Sequence, residues 1–504
     1  MSVETELKFR LPLRSHETIA SLQIPGTTIG DRSESNLVST YFDTAKHKLK
    51  RHGFSLRVRR AGTKHVQTIK ASVAANLGRG EWETDVKKNA PDLAKIGGTP
   101  LKRLASKKLD RKLKPIFQVS VHRVVVPVHT RGSEIEFAID RGHVVAGNRS
   151  SRIEEIELEL KSGQLADLFR IAKIVEQKYQ AELYLRSKSE QGYDLLQGKR
   201  EQTAFAETLE LNRDMLAKEA FEMIARSCVR HFAGNADAVR RGDPEGIHQM
   251  RVGLRRLRAT IAVFSKILPH AGTDKIKAEL KWLTGELAAA RDLDVFVGEE
   301  IRPAAQDLMP RRAGKAIEDE FTAKRDQAFE RAKKALASER FRLLLLNVLE
   351  WIELAQRNDP DDDANQPIVK FARELLHRRV RKIDKQGRQL AKLSARQRHK
   401  LRIGVKKIRY AVDFFESLFP KSRQRALSRL SRHLKKIQDS LGSLNDFVSH
   451  RKMAADAALK GPPPHRRGRA FALGVVVGRE DEAAKALMEV AIKEVGKLRL
   501  QPYF

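Results

Sequence analysis

Val3–Arg10, "VETELKFR", decides the fold of the first part of this chain. A β-strand alternates its side chains with period two, so Glu4, Glu6 and Lys8 share one face while Val3, Thr5, Leu7 and Phe9 share the other. The same alternation returns downstream with both signs of charge. Arg57 and Arg59 share a face of "LRVRR", and Lys70 ends "QTIK". Glu81 and Glu83 share a face of "GEWE", and Glu155, Glu157 and Glu159 share one in "EEIELEL". Uncompensated buried charges are costly, so a barrel with such rows inside needs a wet lumen filled by a charged ligand. Lys and Arg match phosphate oxygens, and carboxylates match Mg²⁺ or Mn²⁺. A metal-bound polyphosphate satisfies both rows.

The chain has 504 residues, enough for two or three domains. Its 98 Lys+Arg against 64 Asp+Glu give a formal net charge of +34, which points to an anionic partner. One cysteine, Cys228, excludes an intrachain disulfide framework and a multi-cysteine metal site. With no apolar run of membrane-spanning length and no signal-like N-terminus, the expectation is a cytoplasmic protein without a membrane partner.

Up to about residue 200 the segments are short and strand-like, with helical interludes expected at 15–22, 91–96 and 164–179. Beyond about residue 205 the sequence turns to long helices rich in Ala, Leu, Arg and Lys, broken at "RGDPEG", "DPDDDANQP" and "KGPPPHRRG". The expected division is 1–200, a linker over 201–211, and 212–504. The helical part repeats itself. "HQMRVGLRRLRA" from His248 aligns without gaps on "HKLRIGVKKIRY" from His399, an offset of 151 residues, and "LKWLTGELAAARD" from Leu280 answers "LKKIQDSLGSLND" from Leu434.

"ETELKF" resembles the ExExK signature of the CYTH, or triphosphate tunnel metalloenzyme, superfamily. "YFDT", "LRVR", "TIK", "GEWE", Arg123, "IDRG", "EIELEL" and "SKSEQGY" follow in that family's order across residues 1–197. The resemblance implies an eight-stranded antiparallel tunnel with flanking helices that acts on triphosphates with Mg²⁺ or Mn²⁺. By it, Glu4, Glu6, Glu157 and Glu159 would ligate metal, with Asp140 and Glu155 supporting. Lys8, Arg57, Arg59, Lys70, Arg123 and Lys188 would grip phosphate oxygens, with Glu4, Glu6, Lys8 and Lys70 nearest the reaction. Glu81 and Glu83 stay open between a second metal and pairing with the arginines. Trp82 lies between them on the opposite face, which disfavours a stacked organic base and puts inorganic triphosphate ahead of nucleoside or other organic triphosphates.

In the helical part, His248, Arg251, Arg255 and Arg258 fall at steps of three, four and three on one helix, and His399, Arg402, Lys406 and Arg409 repeat the spacing. Like charges so placed repel, which suggests an anion between them. The pattern resembles the CHAD domain over about residues 212–500, implying an all-α domain of two pseudo-repeated four-helix bundles around a basic cleft for long-chain inorganic polyphosphate. Lys406 stands where the first copy has Arg255, keeping charge but losing the fork. Asp292 and Asp446 read as helix-end or arginine-orienting carboxylates. Nucleic acid is the runner-up partner, poorly served because Tyr410 is the one aromatic in these two basic segments. The competing whole-chain reading is a non-catalytic polyphosphate-binding protein anchored at polyphosphate granules.

Overall fold

The computed structural model describes residues 2–11, 23–71, 78–198, 203–307, 311–354, 364–460 and 466–498, with the side chains of 2–4, 78–79 and scattered helical positions outside that description. The chain forms two compact units, Met1–Thr203 with Ala337–Arg357, and Ala204–Leu336 with Asn358–Phe504. The segment Ala337–Arg357 falls inside the range that the sequence assigns to the helical part. Its helix, Glu339–Leu354, packs on the first unit through Arg342 Nε to Glu176 at 2.7 Å and Lys173 Nζ to Glu350 at 2.5 Å.

Among the described residues the long strands of the first unit are β1 (Ser2–Arg10), β2 (Ser33–Asp43), β3 (Phe54–Ala61), β4 (Lys64–Ala71), β5 (Gly78–Asp85), β6 (Lys114–His129), β7 (Glu134–Ala146) and β8 (Arg149–Ser162). They pair antiparallel in the cycle β1-β5-β4-β3-β2-β6-β7-β8, and β8 returns to β1, so the sheet closes. Two-residue strands at Thr28–Ile29 and Glu182–Leu183 join β6 and β1.

The barrel is inverted. Its outward positions are apolar: Phe42, Leu56, Val58 and Ile69 pack with Leu49, Ile96, Leu101 and Leu109, and Trp82 lies against this cluster. The expected interlude at 91–96 is a 3-10 turn over Leu93–Lys95, and that at 164–179 is helix α1 (Leu165–Tyr179); the one at 15–22 lies outside the described residues. Helix α2 (Lys188–Leu196) closes part of the lumen: Tyr193 packs with Leu37, Tyr41, Phe117, Val119, Val121 and Ile153, and its hydroxyl donates to Asp43 at 2.7 Å. Gly192 permits this, since a Cβ there would stand 2.2 Å from the Phe117 ring. The remaining lumen carries the charges.

The second unit is helical. In its first half α3 (Ala217–Ala233) and α4 (Pro244–Val263) are followed by helical segments from His270 to Asp307 and a helix over Arg311–Ala337. In its second half α5 (Ile368–Gly387) and α6 (Ala395–Phe415) are followed by α7 (Lys421–Lys460) and a last helix, Arg466–Lys497. The N-caps of α3 and α5, Leu216 and Pro367, pair in an antiparallel bridge. Phe221, Phe264, Phe371 and Phe415 meet in one aromatic core, the rings of Phe264 and Phe371 stacked at 4.9 Å. Among the described residues no helix is long and apolar enough to cross a membrane.

Candidate functional site

Strand register sets the lumen of the first unit. Glu6 of β1 faces Glu159 of β8, which faces Glu136 of β7, so three carboxylates stand side by side on the inner face. One step along, Lys8 faces Glu157; one step further, Asp140 lies between Glu155 and Arg123. Across the lumen β3 and β4 contribute Arg57, Arg59 and Lys70, and β5 contributes Glu81 and Glu83. The cavity is about 450 Å³.

The cations divide into two sets. Arg123 holds Asp140 with two bonds, at 2.7 and 2.6 Å, and reaches Glu157 at 2.5 Å. Lys188, at the start of α2, meets Asp140 at 2.7 Å, Glu157 at 2.6 Å and Glu155 at 3.1 Å. Lys8 lies 3.0 Å from Glu157 and 3.6 Å from Glu155, and Gln191 donates to Glu155 at 2.6 Å. Burial opposes charge here, yet Lys188, Lys8 and Arg123 hold the Glu157 carboxyl well below its ordinary range. Glu157 and its neighbours keep Lys188 well above its own.

The second set is under-neutralised. Arg57 and Lys70 share Glu81, at 3.4 and 3.0 Å. Arg59 has no ion pair among the described residues, and its buried Nε lacks an acceptor, as does that of Arg57. Repulsion from Arg57, then burial and Arg123, pull the Arg59 guanidinium down to about 10. Such a group calls for an anion. Glu83 is exposed and accepts from Thr68 at 3.0 Å.

The structure thus gathers Glu6, Glu157, Glu159, Asp140, Lys8, Arg57, Arg59, Lys70, Arg123 and Lys188 around one cavity, with Glu155 buried beneath it. The side chain of Glu4 lies outside the described residues. Sequence reading passed over Glu136, Lys161 and Tyr41, which also line the lumen. Glu136 shares the face of Asp140 in "EIEFAID", and Lys161 continues the row Glu155, Glu157, Glu159, so strict period-two counting finds both. Lys161 sits 2.8 Å from Glu159 and 3.4 Å from Glu136. Tyr41 is stacked on Phe117 at 4.6 Å.

Among the described residues no three acidic or histidine side chains converge closely enough to hold a metal ion by themselves. The donor chemistry of Glu6, Glu136 and Glu159 nevertheless suits a hard cation. Mg²⁺ characteristically takes one or two carboxylates and completes its shell with water and substrate phosphates.

In the second unit α4 and α6 bring the repeated cations together. Arg255 and Lys406, equivalent in the two copies, meet, with Arg251, Arg402 and Arg409 around them. Burial, then Arg255, Arg402, Arg409 and Arg251, bring the Lys406 ammonium down to about 7. Arg251 Nη2 donates to Asp292 at 3.4 Å, while its Nε and Nη1 and the Nε atoms of Arg255 and Arg402 are buried without acceptors among the described residues. His248 is half-buried near Arg291, Arg255 and Arg251; His399 is exposed and 3.0 Å from Asn445; Asp446 is exposed. Arg409 donates to Gln438 at 3.1 Å. Arg258 is exposed and lies beside Lys407.

Residues 2–193 match the CYTH domain and residues 223–455 the CHAD domain. The chain is 31% identical over 211 residues to an inorganic triphosphatase of Haemophilus influenzae, a match covering 41% of this chain and 58% of that protein, less than two thirds of its length. Among solved structures, the CHAD domain of the plant Ricinus communis is 26% identical, with 57% of this chain and 96% of that chain covered and a TM-score of 0.49. A Hippeastrum protein named for adenylyl cyclase, with a dominant triphosphatase activity, is 16% identical, with 39% and 97% covered and a TM-score of 0.28.

Proposed function

The chain carries a CYTH domain at its N-terminus and a CHAD domain at its C-terminus, and from that premise we propose that it is a metal-dependent inorganic triphosphatase whose helical unit, two copies of one four-helix repeat, binds inorganic polyphosphate. One observation carries the catalytic reading. A half-buried Arg59, its Nε buried and without an ion pair among the described residues, stands near Arg57 and Arg123 and shares a 450 Å³ lumen with the carboxylates Glu6, Glu136 and Glu159. Triphosphate supplies the anion that the arginines need, and its escorting cation suits the carboxylates.

In this reading Arg57, Arg59 and Lys70 take phosphoryl oxygens directly. Arg123, Lys8 and Lys188, saturated by Asp140, Glu155 and Glu157, form a charge-paired wall that fixes the carboxylates in place. Glu6, Glu136 and Glu159 would hold a divalent cation, and Lys161 bridges Glu159 and Glu136. A bound Mg²⁺ or Mn²⁺ would screen the triphosphate charge and polarise its oxygens toward attack by water. Water adds to a terminal phosphorus, one anhydride P–O bond breaks, and orthophosphate and pyrophosphate leave. The helical reading rests on the converged cations around Lys406. Phosphate release from tripolyphosphate with Mg²⁺ tests the enzyme; tight binding without turnover would leave a receptor instead.

A further inference from the structure

The two copies of the helical repeat differ in charge along one flank. With the 151-residue offset, Arg256 corresponds to Lys407, Arg409 to Arg258 and Asp413 to Ala262; through α3 and α5, Cys228 corresponds to Arg379 and His231 to Lys382. The bridge between Leu216 and Pro367, themselves 151 apart, holds α3 and α5 to the same register.

Around Arg256 the cations have a carboxylate among them. Its guanidinium is buried over the Phe414 ring at 5.1 Å, with Cys228 and His231 from α3 and with Asp413 and Arg409 from α6 nearby. Around Lys407 the equivalent positions hold Arg379 and Lys382 from α5 and Arg258 from α4. Where Asp413 supplies a carboxylate in one copy, the other has Ala262. Arg379 donates Nη2 to the Ala262 carbonyl at 2.7 Å, and its Nη1 is buried without an acceptor. Among the described residues none of these four cations has a carboxylate partner. Burial first, then Arg379, Lys382 and Arg258, lower the Lys407 ammonium; burial and then Arg378 bring Arg379 down to about 10.

Arg379 and Lys407 are partly buried, with Arg258 and Lys382 exposed beside them; cations so close repel, and an anion among them relieves the repulsion. Two arginines present forked donors matched to phosphoryl oxygens, and two lysines add point charge. The site lies about 100° around α6 from Lys406, since adjacent residues are that far apart on a helix.

We infer that Lys407, Arg379, Lys382 and Arg258 form a second phosphate-binding site of the helical unit, beside the cleft of Arg251, Arg255, Arg402 and Lys406, and that it takes phosphoryl oxygens of inorganic polyphosphate. The ligand class rests on the polyphosphate reading above; the site itself rests on the unequal repeats.

The test is a titration of the full chain with long-chain polyphosphate at several salt concentrations. Wild type is compared with Ala262→Asp, with Arg379→Ala/Lys407→Ala, and with Arg251→Ala/Arg402→Ala in the cleft. Ala262→Asp keeps every cation and adds the carboxylate that the other copy has. It should weaken binding about tenfold and melt no lower than wild type at low salt, because it relieves repulsion. The Arg379/Lys407 variant should lose a similar factor, and its salt slope should fall by roughly one for each cation removed. Unchanged affinity and slope in both variants, with binding lost in the cleft variant, would overturn the second site and leave the cleft standing. Wild type that fails to bind polyphosphate would overturn both, and tighter binding of duplex DNA of equal charge would overturn the ligand assignment.

Discussion

Lys406 should make polyphosphate binding depend on pH, and replacing it by arginine should abolish the dependence. Its ammonium is brought to about 7 by burial and by the arginines that face it: Arg255 and Arg251 from α4, and Arg402 and Arg409 from its own helix. Of the α7 residues near this helix Gln438 and Asn445 are neutral, while Asp446 of α7 and Asp292 act on Arg251. The free cleft therefore has Lys406 charged below pH 7 and mostly neutral above it. Polyphosphate in the cleft favours the charged form and raises this value, so binding takes up a proton between the free and bound values. Affinity is full below pH 7 and falls as pH rises through the window above it. If the bound value reaches about 9, affinity at pH 8.5 is roughly twentyfold lower than at pH 6.5. Burial, then Arg291 and the cleft arginines, hold the His248 imidazole below its ordinary value, so its protonation belongs to more acidic solutions. The assay is a polarisation titration with long-chain polyphosphate at constant ionic strength from pH 6.5 to 8.5, wild type beside Lys406→Arg. Arginine stays charged throughout and should give a flat profile. A flat wild-type profile, or the same slope in both proteins, would refute the reasoning.

Three further outcomes are expected. Arg59→Gln should lower kcat/KM for tripolyphosphate by about ten- to a hundredfold, the worth of a charged hydrogen bond, while the melting temperature stays level or rises because repulsion from Arg57 and Arg123 is removed. Tripolyphosphate should be used far better than ATP or thiamine triphosphate, because Trp82 packs outside the barrel and the lumen ring of Tyr41 is covered by Phe117; comparable kcat/KM values would reveal a base pocket. Arg251→Ala/Arg402→Ala should weaken long-chain polyphosphate binding strongly and tripolyphosphate binding little, as read by filter titration.

The alternation in "VETELKFR" was enough to separate the faces of β1, because side-chain period two is a local property of an extended chain. It does not say which residues of different strands stand at one level of a barrel. That is why Glu136 and Lys161 escaped notice although they continue rows already marked by Asp140 and Glu159. Nor does it say which cations are already satisfied: the register brings Lys188 to three carboxylates and leaves Arg59 without an ion pair among the described residues. In the helical unit the repeat was plain from His248 and His399, but a face read over ten residues drifts by about 80° at 3.6 residues per turn. Arg258, ten residues after His248, accordingly lies beside Lys407. The apolar run "LLLLNVLEWIEL" announces a packed helix without naming the unit it packs on, and it joins the first through Arg342 and Glu176.

The central claim is that the tunnel hydrolyses inorganic triphosphate using carboxylate-held metal. Its most direct measurement is orthophosphate release from tripolyphosphate by the full chain, with Mg²⁺ and with chelator, for wild type and Glu6→Gln. Glu6 faces Glu159 in the acidic row, and glutamine keeps its size while removing its charge. Rapid release by wild type that depends on Mg²⁺ and is lost in a folded Glu6→Gln protein is the predicted result. Equal turnover by Glu6→Gln at saturating Mg²⁺, or release that persists under chelation, would contradict it.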